Sequence, residues 1–366
     1  MSSDVQVDFV MNNQGNSDAA IQWLNAKGDV NALRPFEGAD GRSYVNRVVG
    51  QNEDGSQKVQ AVVTNSGATL RKNEWQFVDS IVSEVARKRL TLINNMRSAG
   101  MAISFPGAYN HSVYQYQRMT DLSPATMNMN PRSRAENDRP TFDLVSVPLP
   151  IIHKEIEMDA REIAIRRNGG VPLETTALMQ AAKRVAEYAE QLVLGSLPTF
   201  VYGGASLYGL LNFPQRLTGA FLNPTVTGWT PDMLFNSVIN MIKASVDNFH
   251  YGPWDLYYST GLMAHMLKPF SSQYDGGSLV NRIGELPGIN SVTMLDYLSG
   301  NQMLLVQRDP ESSQILVGMD VTTVQWSENG GASQKLRVMA MMVPLMKTDA
   351  NSTTGIVHFS GNATTV

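Results

Sequence analysis

The side chains best suited to proton transfer are five histidines, His111, His153, His250, His265 and His358, because imidazole titrates near neutral pH. Metal binding or acid–base catalysis needs such groups to converge with partners at short, defined spacings. No two of the five stand at metal-ligand spacing, so each reads as a surface or core residue satisfied locally. The stretch Gly203-Gly204-Ala205-Ser206-Leu207-Tyr208-Gly209 is glycine-rich, yet it lacks the lysine of a phosphate loop and the spacing of a dinucleotide fingerprint, and reads as a loop. Glu155, Glu157, Asp159 and Glu162 alternate with cations across a strand-to-helix transition, where a salt-bridge network explains them better than paired acid–base work. Cysteine is absent, which excludes thiolate metal sites, a cysteine nucleophile and disulfides, and fits a reducing cytoplasm. No catalytic, metal or cofactor site emerges, and the expectation is a protein that is not an enzyme.

With 366 residues, the chain exceeds the size at which a single hydrophobic core stops growing, so two or three lobes are expected. A hydrophobic fraction of 43% and a charged fraction of 17% belong to a folded protein. The net charge of −4 argues against a protein whose task is to grip nucleic acid. The opening residues have neither a basic stretch nor an apolar run, and no segment has the apolar length of a membrane span; a soluble cytoplasmic protein without a membrane partner is the expectation.

The most distinctive segment is a polar, proline-punctuated excursion over 99–157. Loops of that length are uncommon inside compact domains, which suggests an arm that packs on a neighbour. Tyr109, Val113 and Tyr116 give its outgoing side a strand character. Phe142, Leu144, Val145, Val147, Leu149, Ile151, Ile152, Ile156 and Met158 do the same for its return, with Pro148 and Pro150 confining that side to an edge. The tip between them offers little to a core. Its cations are Arg132, Arg134 and Arg139, with Arg118 on the outgoing side, and guanidinium groups suit bidentate contact with a neighbour's carboxylates.

Around the excursion, residues 1–72 read as a polar arm with a small hairpin across a turn at 52–56. A helix over 73–96 carries Arg87, Lys88 and Arg89 on a solvated face rather than as a nucleic-acid stripe. A turn at Gly169-Gly170 precedes a second helix over 172–194, opened by Pro172 and stopped by Gly195. Its small-residue stripe, Ala177, Ala181, Val185, Ala189 and Leu192, permits close approach to a sheet. Thr230-Pro231-Asp232 starts a third helix, whose apolar face of Leu234, Val238, Met241, Ile242 and Val246 runs on to Phe249. Strands follow at WDLYYST, SVTMLDYL, QMLLVQRD, QILVGMDVTTVQW and KLRVMAMMVPLM, with short helices at GLMAHMLKPF and SLVNRIGELPG. The layout is α+β with a mixed sheet.

Five segments in this order resemble a known family: NEWQFVDSIVSEVARKRL before the excursion, VPLPIIHKEIEMDAREI on its return, LETTALMQAAKRVAEYAEQLVLGS, YGLLNFP, and the closing ILVGMDVTTVQW with KLRVMAMMVPLMKTDANSTTGIVH. Together, over roughly residues 73 to 360, they are similar to the major capsid proteins of tailed bacteriophages and the related encapsulin shells, the Hong Kong 97-type (HK97-like) fold. The resemblance implies an N-terminal arm over 1–72, the N-terminal helix of a peripheral domain over 73–98 and an extended E-loop over 99–157. It further implies a peripheral domain with a spine helix over 158–209, an axial domain over 210–314, and closing strands over 315–366 that return to the peripheral domain. It also implies a virion subunit assembled in a bacterial host's cytoplasm: pentamers and hexamers of one chain closing an icosahedral shell around double-stranded DNA, held without sequence-specific contact. Portal, scaffolding and decoration proteins are further partners of that reading, no cofactor is needed, and Arg118, Arg132, Arg134 and Arg139 are the expected inter-subunit contacts. Some family members cross-link lysine to asparagine, but no lysine occurs here between Lys88 and Lys154, so a non-covalent shell is expected. Two rivals stand beside this reading, an encapsulin-like compartment around protein cargo and an unrecognised α+β enzyme.

Overall fold

The computed structural model describes residues 36–37, 43–51, 57–63, 72–119, 127, 129, 139, 142–168, 175–269, 277–328, 332–349 and 352–363. Near the N-terminus, β1 (Phe36–Glu37), β2 (Ser43–Gln51) and β3 (Gln57–Val63) pair antiparallel, giving the expected hairpin. Its turn at 52–56 and the rest of the 1–72 segment lie outside the described residues.

Two helices follow, α1 (Lys72–Arg89) and α2 (Thr91–Ser98), where the sequence predicts one. The break is at Leu90, although the apolar stripe of Val78, Val82, Ala86, Leu90, Ile93 and Met96 runs buried through it. The Leu92 and Ile93 N–H groups turn to the carboxylate of Glu190, and Asn94 Nδ2 donates to the Arg87 carbonyl at 3.1 Å. Of the neighbouring cations, Lys88 pairs with Glu84 at 2.7 Å in solvent, and Arg89 lies 3.9 Å from Glu187.

The chain continues through β4 (Ala102–Ser104), β5 (Val113–Met119), β6 (Phe142–Pro148), β7 (Ile152–Asp159), α3 (Ala160–Asn168) and α4 (Thr176–Leu194). The Gly169-Gly170 turn and Pro172 lie outside the described residues. On α4 the buried stripe is Leu178, Ala181, Ala182, Val185, Ala186, Ala189, Leu192 and Val193. Ala177 is exposed, because the larger Leu178 takes the inward position. Gly195 ends the helix in the left-handed region, φ 81°, its N–H returning to Gln191 and Leu192.

The remainder comprises β8 (Phe200–Tyr202), β9 (Ala205–Leu207), β10 (Leu217–Leu222), α5 (Pro231–Asp247), β11 (Trp254–Ser259), α6 (Met263–Met266), α7 (Leu279–Gly284), β12 (Ile289–Leu295), β13 (Gln302–Gln307), β14 (Ser313–Glu328), β15 (Ser333–Met346) and β16 (Ile356–Ala363). A four-stranded sheet, β4-β14-β15-β7, carries α4, with α1 packed against α4 in turn. β15 is buried along nearly its whole length, as a strand covered on both faces must be. A five-stranded sheet, β10-β16-β13-β11-β12, separates two cores. Along β13, Met303 and Leu305 face the core shared with α5, α6 and α7, while Leu304 and Val306 face the core of α4.

The closing strands expected over 315–366 divide between the two sheets. β14 and β15 do join the sheet beneath α4, but β16 crosses to the five-stranded sheet and lies between β10 and β13. Its side chains explain the crossing: Ile356 enters one core while Val357 and Phe359 enter the other, and only the sheet between the cores satisfies both faces. The apolar face of α5 also stops short of the predicted end, for Phe249 is exposed.

Candidate assembly surface

The excursion is an antiparallel ribbon, β5 on β6, in register from Val113 opposite Pro148 to Met119 opposite Phe142. The ribbon is tied to the body along its strands: Tyr116 Oη donates to the Met346 carbonyl at 3.3 Å, and Arg118, one pair from the outer end, donates to Thr348 Oγ1 at 3.0 Å and to Asp143 at 3.2 Å. Burial raises the Tyr116 phenol above its ordinary pKa, against a smaller opposing effect of Arg118, so the hydroxyl stays a donor. Arg118 therefore has partners on its own chain and works as an anchor of the ribbon. Arg139 is exposed on the approach to β6. Arg132 and Arg134 lie outside the described residues. Leu144, opposite Gln117, and Phe142, opposite Met119, expose apolar surface, as do Met127 and Met129. A two-stranded ribbon with an uncovered apolar side is marginal in water, which is a reason for it to be covered by a partner.

Beside the ribbon root stands the β8–β9 hairpin. Gly203 and Gly204 have φ of 59° and 79°, the pair of positive values that a two-residue hairpin turn demands. The glycine-rich stretch is thus a tight hairpin, and it lifts Phe200, Val201 and Tyr202 into solvent. A groove of about 760 Å³ separates it from the ribbon root, with Tyr109, His111, Pro150, His153, Phe200 and Tyr202 among its walls. In the following YGLLNFP segment the Gly209 N–H donates to Asn212 Oδ1 at 2.6 Å, while Leu210 and Leu211 bond the carbonyls of Val193 and Leu194. This turn locks the hairpin to the end of α4.

Several ionisable groups pair within the fold. Glu155 and Arg337 are direct cross-strand partners on β7 and β15, with Arg337 Nε donating at 2.8 Å, and Arg97 pairs with Asp320. His358 is half-buried in the five-stranded sheet and pushed down to about 4, first by burial and then by Arg216, whose Nε lies 3.5 Å from Nδ1. At neutral pH it is uncharged. Among the described residues no group of three or more His, Cys, Asp or Glu could hold a metal ion, and no helix is long and apolar enough to cross a membrane. Sequence reasoning missed Tyr116 as a ribbon anchor and Glu190 as a cap; neither has a local signal, since both act on residues far along the chain.

A body of two cores divided by one sheet, a long helix on a second sheet and a ribbon leaving the body define the Hong Kong 97-type α+β fold of capsid and shell proteins. The virus-like particle of Pyrococcus furiosus shares it with a TM-score of 0.54 at 15% identity, over 78% of this chain and 98% of that one. The capsid of Myoviridae phage XM1 gives 0.56 at 12% identity, over 74% and 91%. In sequence the chain is similar to the Type 1 encapsulin shell protein EncA of Myxococcus xanthus (strain DK1622), 23% identical over 258 residues, which are 69% of this chain and 82% of that protein. The chain belongs to the family of unknown function DUF6260, whose profile matches residues 65–359.

Proposed function

We propose that this chain is the major capsid protein of a tailed bacteriophage, a structural subunit without catalytic activity. Pentamers and hexamers of it close an icosahedral shell around double-stranded DNA, and non-covalent contacts hold the shell. The observation that carries the reading is the ribbon: on a capsid fold, a two-stranded arm leaves the body with Phe142, Leu144, Met127, Met129 and Arg139 exposed, a surface a neighbouring copy would cover. Several modest contacts per subunit then give a cooperative shell through avidity. In this reading β5 and β6 belong to the E-loop, α4 is the spine helix of a peripheral domain, and the five-stranded sheet with α5, α6 and α7 is the axial domain. The virion is its location, and portal, scaffolding and decoration proteins are further partners.

The likeness to EncA and the near-complete coverage of the Pyrococcus furiosus particle favour a second reading, a nanocompartment around protein cargo. Particle content discriminates the two. Electron microscopy of the purified protein is expected to show closed shells, which in infected or induced cells enclose nuclease-protected double-stranded DNA. Shells that hold protein and no DNA would favour the second reading, and a chain that stays monomeric across concentration and salt would overturn both.

A further inference from the structure

Helix α5 ends in a Schellman motif: the Phe249 N–H bonds the Val246 carbonyl at 2.9 Å and the His250 N–H bonds the Ser245 carbonyl at 3.0 Å. The residue after the cap in this motif takes the left-handed conformation, and glycine is its usual occupant. Here that residue is Phe249, with φ 64°, and it is 70% exposed. A bulky L-residue enters this region only when its surroundings compel it, and packing within the chain gives this ring little in return.

The surroundings do compel it. Ser245 Oγ donates to the His250 carbonyl at 2.8 Å and accepts from Trp254 Nε1 at 3.0 Å. Gln307 Nε2 donates to the Tyr251 carbonyl at 2.7 Å, and the His250 ring sits between Gln307 Oε1 at 3.1 Å and Thr353 Oγ1 at 3.3 Å. The backbone on the far side of Phe249 is therefore clamped, and it directs two exposed aromatic side chains, Phe249 and Tyr251, away from the core. Pre-organised aromatic anchors of this kind dominate protein–protein contacts.

We infer that Phe249 is an apolar knob for a second copy of this chain, seated on Met263 and Leu267 of that copy. The inference rests on the shell-forming reading. Met263 and Leu267, four residues apart, are exposed on the turn whose Leu262 and Met266 are buried, an uncovered apolar pair that methionine makes adaptable to an aromatic ring. The knob precedes β11 and the seat follows it, so the six residues of β11 put them about 20 Å apart at opposite ends of one strand. A knob and a seat at opposite ends make a head-to-tail contact, the kind that closes into rings. Nucleic acid is a poor occupant, since 247–253 carries an aspartate and no lysine or arginine.

The test is a pair of variants of the full chain, with the assembly threshold followed by light scattering and the thermal midpoint measured below that threshold. Phe249→Gly is expected to raise the threshold ~tenfold, the equivalent of losing one anchor, while leaving the midpoint unchanged or higher because the strain is relieved. Phe249→Asn, which also tolerates the left-handed region, should raise the threshold likewise. Met263→Ser with Leu267→Ser should raise it as well, and combining these with Phe249→Gly should add little further. A Phe249→Gly chain that assembles at the wild-type threshold, or whose midpoint falls, overturns the inference while wild-type shells leave the capsid reading standing. Additive effects of knob and seat variants overturn the pairing, and loss of a co-purifying protein with the threshold unchanged would assign the knob to cargo. A wild-type chain that never assembles overturns the inference together with the reading beneath it.

Discussion

The carboxylate of Glu190, one turn before the end of α4, accepts the backbone N–H of Leu92, 98 residues earlier in the chain, at 2.5 Å. Its second oxygen takes the N–H of Ile93 at 3.3 Å. The opening turn of α2 is thus capped by a side chain from another helix rather than by a local residue, and the joint between α1 and α2 is pinned to α4. Glu190 is 2% exposed, and burial raises its carboxyl to about 7, against the lowering effect of the two N–H groups and with a further raising effect from Asp296. The Tyr257 phenol, itself raised by burial and by Asp255, faces the same interior.

Stability should therefore fall with rising pH across the neutral range. The folded carboxyl titrates at about 7 and the unfolded one near 4.5, so between those values the folded state holds the extra proton. The contribution is fully present below about 4.5, declines through 7 and is gone above it, a change on the order of 3 kcal/mol at ~1.4 kcal/mol per pH unit. Thermal denaturation of unassembled chain between pH 5 and 8 should show this slope, and Glu190→Gln should flatten it. A Glu190→Gln chain with the wild-type slope would show that another group titrates. Glu190→Ala should remove the slope likewise, and near pH 5 it should cost ~2 kcal/mol by leaving the two N–H groups unpaired.

Gly209→Ala should be among the most damaging single substitutions. A Cβ at Gly209 would lie 2.4 Å from the Gly195 nitrogen and 2.5 Å from its Cα, a backbone-on-backbone clash that no rotamer relieves. Gly195 is itself left-handed at φ 81° and ends α4 there, so neither residue can move without unseating the helix terminus. A loss of more than ~3 kcal/mol is expected, read as a fall in thermal midpoint or as insoluble expression. A midpoint close to wild type would mean that the turn shifts as a unit.

The contrast between these two glycines and Glu190 shows where sequence is legible. Gly195 follows an apolar period and marks a helix end by local rules, as Thr230-Pro231-Asp232 marks the start of α5. β11 and β13 show themselves as short apolar runs because both faces of their sheet are covered. The break at Leu90 is hidden because the apolar stripe passes through it and the group that completes it is Glu190. The crossing of β16 is equally silent, since an apolar strand pattern does not say which of two sheets the strand joins. Phe249 extends the apolar period of α5 in sequence, and only the left-handed backbone turns its ring outward. For the proposed assembly surface, composition marked the excursion, but nothing local told Arg118, bound to Thr348 and Asp143, from the exposed Arg139.

Removing 124–140 should leave the subunit folded and stop regular assembly. Within that stretch the described residues Met127, Met129 and Arg139 are exposed, while the retained strands keep Tyr116 and Arg118 on the body. The midpoint of the unassembled chain should change by no more than a few degrees, corresponding to less than ~1 kcal/mol, while micrographs should show no closed shells. Normal shells from the shortened chain would show that the excursion is not the assembly arm. Arg139→Ala alone should weaken assembly about ten- to a hundredfold if its guanidinium meets a neighbour's carboxylate, as the loss of a charge-assisted bond of about 1.5–3 kcal/mol would.

The assembled particle should come apart completely under denaturing conditions. A lysine-to-asparagine cross-link between subunits needs a lysine amine carried on an arm that reaches the neighbour, and no lysine lies between Lys88 and Lys154. Lys88 is held in a helix by Glu84, and Lys154 sits on β7 opposite Val338, within the chain's own sheet and remote from the ribbon's outer end. The arm's cations are arginines, whose guanidinium groups stay protonated and are poor nucleophiles. Cysteine is absent, so disulfides cannot take over the role. Cohesion then rests on many weak contacts, each reversible once the subunits unfold. Boiling purified shells in detergent without reductant should give one band near the 40.2 kDa monomer. A ladder of heavier bands that survives boiling would show that a covalent bond forms through some other pair of side chains.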